Sequence, residues 1–153
     1  MATARSRVKA SRKPSFRLYI ADDFRREADG KVSGIGLYTD LVVVANLLPG
    51  AAPPTLEAPL VLHGLAALVT IAGLGGNHSL AVEFKDSLPA RPPEIQGDKK
   101  VDFKEGQTAN LILRFQPFVT GGPGLKTIVV KIDDEPHELN FEVRLGKQRR
   151  PRK

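Results

Sequence analysis

The stretch ELNFEVRL, residues 138–145, alternates polar and apolar residues without interruption. Every second residue from Leu139 to Leu145 is apolar, and the positions between carry charged or amide side chains. Successive side chains of a β-strand point to opposite faces, so this pattern predicts a strand with one buried and one solvated face. The preceding segment 127–132 alternates in the same way, and the polar stretch DDEP at 133–136 separates the two. We therefore predict a C-terminal β-hairpin.

The same period of two recurs in shorter segments toward the N-terminus, and each of them predicts a further strand. These segments are 16–20, 32–38, 80–85, 101–103 and 110–115. The stretch EADGK at 27–31 predicts the turn that joins the first two. Valines at 42–44 extend the second of them.

Residues 65–72 are apolar throughout, with no alternation. Because Gly64 and Gly73 bound this short stretch, we predict a strand that pairs with 79–85 across the glycine-rich turn at 73–78. Two interpretations of this stretch and of the valines at 42–44 stay open. The strands are buried on both faces or covered by the proline-rich connections, or they expose an apolar face that meets another subunit.

Two proline-rich connections, at 49–59 and 89–97, are expected to be extended and to cross between sheets. The total is seven or eight strands with no long helix, and 12 Pro and 14 Gly suit many short strands joined by turns. The sequence therefore predicts an all-β fold, a two-sheet antiparallel sandwich of Greek-key or immunoglobulin-like type.

The charge of the 153-residue chain is unevenly distributed. Residues 1–15 carry five cations and residues 144–153 carry six, with no acid in either segment, so a formal net charge of +6 leaves −5 for the residues between. The pattern indicates one domain at 16–145 between a basic N-terminal tail, 1–15, and a basic C-terminal tail, 146–153.

The tail cations are the candidate contacts for a polyanion or an acidic partner, and such contacts would weaken steeply with salt. They are Arg5, Arg7, Lys9, Arg12, Lys13, Lys147, Arg149, Arg150, Arg152 and Lys153. Neither tail contains an aromatic residue on which a base could stack, so non-specific phosphate contact is expected rather than sequence-specific recognition. The alternative is a pair of solvated ends that aid solubility.

Motifs for catalysis are weak. The loop TGGPGLK at 120–126 lacks the Gly-Lys-Ser/Thr ending of a phosphate-binding loop, and Lys126 opens a strand. Ser79 directly follows His78, so on a strand the two side chains face opposite sides, which disfavours a nucleophile and base pair. We expect a protein that is not an enzyme, with no cofactor and no small-molecule substrate.

Metal sites are also disfavoured by the pattern. No cysteine is present, and His63, His78 and His137 fall on separate predicted elements, which argues against zinc. Acidic residues cluster at 22–29 and at 133–135, where solvated turns are expected rather than a calcium site.

The sequence shows no targeting signal, and we expect a cytoplasmic protein. No apolar segment follows the N-terminal charges, as a secretory signal would require. Prolines, glycines and His63 interrupt the longest uncharged stretch, so no membrane span of about 20 apolar residues is expected.

The stretch ADDFRREADGK at 21–31, followed by GIGLY at 34–38, resembles the opening of an uncharacterised bacterial β-sandwich family of immunoglobulin-like architecture. Segments 127–132 and 139–143 are similar to its closing strand pair, and the resemblance covers residues 16–145. It implies the sandwich and carries no assigned activity. The basic tails and the proline-rich stretch at 49–59 depart from the family's shorter plan.

Two functions follow as hypotheses. The first is a non-enzymatic interaction or structural module, a subunit of a larger assembly, whose edge strands and loops contact a protein partner or a second copy of the chain. The alternative is a nucleic-acid-associated protein that contacts the phosphate backbone through its basic tails.

Overall fold

The computed structural model describes residues 13–86, 94–96 and 100–146. Within them the chain is all-β, with thirteen strands and one three-residue 3-10 turn, Thr39–Leu41. The strands are β1 Ser15–Ala21, β2 Asp23–Arg26, β3 Val32–Ile35, β4 Val42–Ala45, β5 Leu60–Leu62, β6 Leu65–Ala72, β7 Gly76–Lys85, β8 Glu94–Gln96, β9 Lys100–Phe103, β10 Ala109–Phe115, β11 Phe118–Thr120, β12 Gly124–Ile132 and β13 Glu135–Leu145.

Nine strands form two principal sheets. The front sheet has the order β1-β6-β10-β8 and is antiparallel, and the back sheet has the order β4-β13-β12-β7-β9. In the back sheet β4 runs parallel to β13, while the other pairs are antiparallel. The remaining strands form two ribbons, β2–β3 and β5–β11. The count exceeds the predicted seven or eight because short segments such as β5, β8 and β11, for which the sequence predicted no strand, also pair.

Both principal sheets contribute to one hydrophobic core. Leu113 and Val69 of the front sheet belong to the same buried cluster as Ile128 and Val143 of the back sheet. Four phenylalanines cross this core: Phe115 lies on β10, Phe118 on β11, and Phe84 and Phe141 on the back sheet. Their ring centroids lie 5.2–6.3 Å apart, mostly edge to face, which is a favourable arrangement for aromatic rings.

The β2–β3 hairpin packs on the outer face of the front sheet. Its Phe24 forms a second buried cluster with Ala21, Ala66 and Ile112. Arg114 holds it in place, because its guanidinium donates to the Phe24 carbonyl at 2.7 Å and to the Asp23 carboxylate at 3.3 Å. The apolar stretch at 65–72 therefore faces the core on one side, and on the other side this hairpin, rather than a proline-rich connection, buries Ala66 and packs against Leu68.

The C-terminal hairpin is confirmed, with β12 and β13 in register from Gly124 opposite Val143 to Ile132 opposite Glu135. Its turn is shorter than predicted. Asp133 and Asp134 alone form it, both with positive φ, 48° and 68°. Two consecutive left-handed residues match the twist of the flanking strands, and Asp tolerates that conformation better than most residues.

The predicted hairpin of 65–72 with 79–85 is wrong. β6 pairs with β1 and β10 in the front sheet, whereas β7 pairs with β12 and β9 in the back sheet. The glycine-rich link between them carries the chain across the core. Alternation determines which face of a strand is buried but not which strand lies beside it, so the pattern fits a sheet crossing as well as a hairpin. Of the second proline-rich connection, predicted at 89–97, residues 89–93 and 97 lie outside the described residues.

Gly36 occupies a position that suits only glycine. It has φ +66°, and a Cβ there would lie 2.0 Å from the Asp22 Oδ2 atom. The other oxygen of that carboxylate accepts a 2.7 Å hydrogen bond from the Tyr38 hydroxyl. Burial, and then this hydrogen bond, raises the pKa of Tyr38 to about 12.

Gly36→Ala is therefore expected to destabilise the protein more than Gly30→Ala. Gly30 also has positive φ, but nothing lies within 4 Å of its Cβ position, so alanine there costs only backbone strain of about 1–2 kcal/mol. Gly36→Ala adds the displaced Asp22–Tyr38 hydrogen bond, about 1–3 kcal/mol more. Urea unfolding of the two variants measures the difference, and equal losses would contradict the packing at Gly36.

Candidate functional site

Of the ten predicted tail contacts, only Lys13 falls within the described residues. It is exposed and stands two residues before β1. The other nine, Arg5, Arg7, Lys9, Arg12, Lys147, Arg149, Arg150, Arg152 and Lys153, lie outside the described part of the chain. The structure therefore bears only on where the basic segments join the domain.

The two basic segments join the domain at opposite ends of β13. Near the start of β1, the Phe16 ring stacks on His137 of β13 with a centroid distance of 4.3 Å. The C-terminal segment instead follows Leu145, eight residues further along the same strand. At roughly 3.4 Å per residue, the two attachment points are separated by about 27 Å along the strand. A single short ligand cannot contact both attachment points.

The β5–β11 ribbon exposes a pair of valines. Leu60 and Phe118 bury one face of the ribbon in the main core, whereas Val61 and Val119 face solvent with 54% and 37% of their surface exposed. The two valines are directly opposite each other in the antiparallel register. Among the described residues the ribbon has no third strand, so its outer backbone groups are open to another chain.

His78, Ser79 and Asp133 converge where the β6–β7 link meets the turn between β12 and β13. The Asp133 carboxylate accepts hydrogen bonds from the Ser79 amide at 2.9 Å and the Ser79 hydroxyl at 3.2 Å, and it lies 2.6 Å from His78 Nδ1. His78 Nε2 lies 3.0 Å from the carbonyl oxygen of Gly75. Both imidazole nitrogens thus face oxygen acceptors, and only the doubly protonated ring can donate to both.

This cluster links the β6–β7 connection to the turn between β12 and β13, and it does not form a nucleophile relay. In a relay the imidazole contacts the serine hydroxyl, but here the nitrogens of His78 are occupied by Asp133 and Gly75. The pKa of His78 is raised by its hydrogen bond to Asp133 and then by the Gly75 carbonyl. The pKa of Asp133 is lowered, chiefly by His78 and next by the Ser79 amide. The arrangement ties the glycine-rich link to the tip of the C-terminal hairpin.

This tie is expected to make stability depend on pH. A raised folded-state pKa means that the His78 contribution is complete below its ordinary pKa of 6.5 and is lost as pH rises through the folded value. The lowered pKa of Asp133 gives a contribution that is present above 3.8 and lost as pH falls. The free energy of unfolding should therefore decline above pH 6.5 in the native protein, and less in His78→Gln. Identical pH profiles for the two proteins would contradict the tie.

Lys126 and Asp86 form a buried ion pair beside the glycine loop at 120–124. The ammonium lies 2.7 Å from Asp86 Oδ1, and the two side chains are only 3% and 1% exposed. The Gly121 amide donates to the other carboxylate oxygen at 3.4 Å. Lys126 points inward on the same face of β12 as Ile128 and Val130, and its ammonium donates to this carboxylate.

The predicted acidic clusters are dispersed onto separate partners. Asp22 accepts from Tyr38, Asp23 from Arg25 and Arg114, and Asp29 pairs with Lys31. The hydrogen bond from Arg25 is the main reason why the pKa of Asp23 is lowered. Across residues 13–86, 94–96 and 100–146, no group of three His, Asp or Glu side chains is placed to hold a metal ion. Within the described residues, the 3-10 turn at 39–41 is the sole helical segment. The structure contains no helix there that is long and apolar enough to cross a membrane.

The outer face of the back sheet carries matched charges. Lys85 reaches across β12 to Glu138 at 2.8 Å, and Lys131 pairs with Glu83. Val129 is directly opposite both glutamates in the register, and it is buried although it points outward. The two ion pairs cover it. This face is therefore solvated and internally neutralised.

The outer face of the front sheet differs, and the sequence analysis did not single it out. Arg17 and Arg26 have no carboxylate partner within the described residues, and the Arg26 guanidinium donates to the Asn110 carbonyl at 3.1 Å. Alternation already placed Arg17 and Tyr19 on the same face of β1, but only the fold shows that Arg26 folds back toward it.

No known protein family, no curated protein and no solved structure matches this chain.

Proposed function

We propose that the protein is a non-enzymatic interaction or structural module, a cytoplasmic subunit of a larger assembly. Its architecture is a two-sheet sandwich of Greek-key or immunoglobulin-like type, of the kind that the resemblance to an uncharacterised bacterial family implies. The core shared by both sheets supports the sandwich, as does a chain that alternates between front and back sheets from β6 to β12. The partner is a protein or a second copy of the chain.

The β5–β11 ribbon is the observation that carries this proposal. Its inner face is anchored in the core by Leu60 and Phe118, so the ribbon holds its shape without a partner. Its outer face offers the cross-strand pair Val61 and Val119, with open backbone edges on both sides within the described residues. An added strand would satisfy the backbone groups of one edge, and its outward side chains would pack beside the neighbouring valine, which is how strand addition gains affinity.

Size exclusion with light scattering tests the proposal. We expect the untagged protein to associate with itself or with a copurifying protein, and the double variant Val61→Thr with Val119→Thr to lose that association. Threonine keeps the branched shape and the strand preference while adding a hydroxyl. The matched control is Leu125→Thr, on the outer face of the back sheet and 66% exposed. A native protein that stays monomeric and captures nothing counts against the proposal.

The second candidate is phosphate-backbone binding through the basic tails. It is supported by two acid-free cationic segments that join the domain about 27 Å apart, because a long polyanion passing the domain can contact both. We expect the full-length protein to retain oligonucleotides at about 50 mM salt and to release most of them at about 200 mM. A full-length variant with the ten tail cations changed to glutamine should bind weakly at both. Equal binding by the two proteins would refute the tail contacts.

A further inference from the structure

The outer face of β1 presents a cation and an aromatic ring beside the N-terminal basic segment. Arg17 and Tyr19 are two residues apart on the strand and both point away from the core, and Tyr19 is 38% exposed. Lys13, which is also exposed, lies four residues before Arg17. The basic segment 1–15 thus continues into a structured surface that holds the aromatic residue the tails lack.

A polar row extends from Arg17 across the front sheet. In the register Arg17 is opposite Thr70, and Thr70 is opposite Asn110 on the far side of β6. Arg26 of the hairpin reaches the Asn110 carbonyl, so one guanidinium stands at each end of the row. The row therefore combines two cations with uncharged hydrogen-bonding groups.

The cations of this row differ from those on the outer face of the back sheet in whether a carboxylate neutralises them. Lys85 and Lys131 on the back sheet are each paired with a glutamate, whereas Arg17 and Arg26 have no carboxylate partner among the described residues. The nearby acids Asp23 and Asp29 are already engaged by Arg25, Arg114 and Lys31. Glu27, next to Arg26, is the one exposed acid of the hairpin that no cation in the described part engages. Unneutralised guanidinium groups favour a ligand that brings its own negative charge.

We propose that this face, formed by Arg17, Tyr19, Thr70 and Arg26, binds single-stranded nucleic acid. The guanidinium groups contact backbone phosphates, and the Tyr19 ring provides a platform on which an unpaired base stacks. Duplex bases are already stacked on each other, so an aromatic ring on a sheet face selects single strands. This inference rests on the second candidate function, because segment 1–15 would bind the same strand.

Tyrosine emission provides the first test. The chain has two tyrosines and no tryptophan, so full-length Tyr38→Phe keeps Tyr19 as its single tyrosine and dominant fluorophore. Titration with a short oligothymidylate should change the Tyr19 emission at low salt. The same titration of the full-length variant with glutamine at the ten tail positions separates the two proposals. Emission unchanged while the strand still binds through the tails would overturn the stacking surface and leave tail binding intact.

Affinity measurements on full-length variants provide the second test. Tyr19→Thr should bind oligothymidylate about tenfold more weakly. Arg17→Gln with Arg26→Gln should reduce the slope of log affinity against log salt by about 1.4, whereas Lys104→Gln should leave it unchanged. Lys104 is a matched control, an exposed cation that follows β9 and has no carboxylate partner within the described residues. Equal affinity for polyglutamate and oligothymidylate, or no binding by the native chain, would overturn the proposal.

Discussion

Phe118→Ala is expected to lower the free energy of unfolding by about 3–5 kcal/mol. Phe118 is 1% exposed and lies within 6.1 Å, centroid to centroid, of Phe84, Phe115 and Phe141. Those rings belong to both principal sheets, so removing the Phe118 ring leaves a cavity where the sheets meet. The loss combines the transfer free energy of the ring with the cost of a cavity that the surrounding strands cannot fully close.

Urea unfolding measures this loss, with Leu125→Ala as the control. Leu125 is also on a strand but largely exposed, so its truncation should change the free energy by no more than about 0.5 kcal/mol. Phe118→Ala should also destabilise the β5–β11 ribbon, because Phe118 packs one face of the ribbon into the core. A loss below about 1 kcal/mol for Phe118→Ala would mean that the phenylalanine cluster does not join the two sheets.

Lys126→Met is the second change with a large expected effect, a loss of about 3–5 kcal/mol. Methionine has similar length and fits an apolar site, but it removes the ammonium from a carboxylate that is almost completely buried. Asp86 then loses the Lys126 ammonium in a medium that screens poorly. Most of the loss is the penalty of that buried charge rather than the net value of the ion pair.

A double-mutant cycle separates these two quantities. Lys126→Met with Asp86→Leu removes both charges, so it should be more stable than Lys126→Met alone, although it also loses the hydrogen bond from the Gly121 amide. Urea unfolding of the native protein, both single variants and the double variant completes the cycle. If the two single losses simply add in the double variant, the pair is not coupled and the buried contact is wrong.

The amino-acid pattern predicts burial well in this chain, because the period of two assigns each residue of a strand to one face. Phe141 and Val143 are buried, while Asn140 and Arg144 on either side of this pair are exposed, as alternation requires. The same parity places Lys126 with Ile128 and Val130 on the inner face, and an inward lysine is a signal of a buried acidic partner. That signal was present in the sequence and identifies the site of the ion pair, though not Asp86.

Strand neighbours and long-range contacts could not be predicted in this way. β6 and β7 present apolar faces to the same core from different sheets, and the alternation of one strand contains no information about which strand pairs with it. Likewise, Asp133 meets His78 across 55 positions and Lys126 meets Asp86 across 40. Such contacts depend on the order of strands in the sheets, which a single sequence does not contain.

Amide hydrogen exchange of the untagged native protein tests the central claim, that the β5–β11 ribbon is the surface through which this protein associates. The amides at 60–62 and 118–120 should exchange more slowly when the protein is associated than when it is diluted to monomer. The Val61→Thr with Val119→Thr variant should show fast exchange at both concentrations. Slower exchange confined to other strands, with the ribbon amides unchanged, would contradict the account.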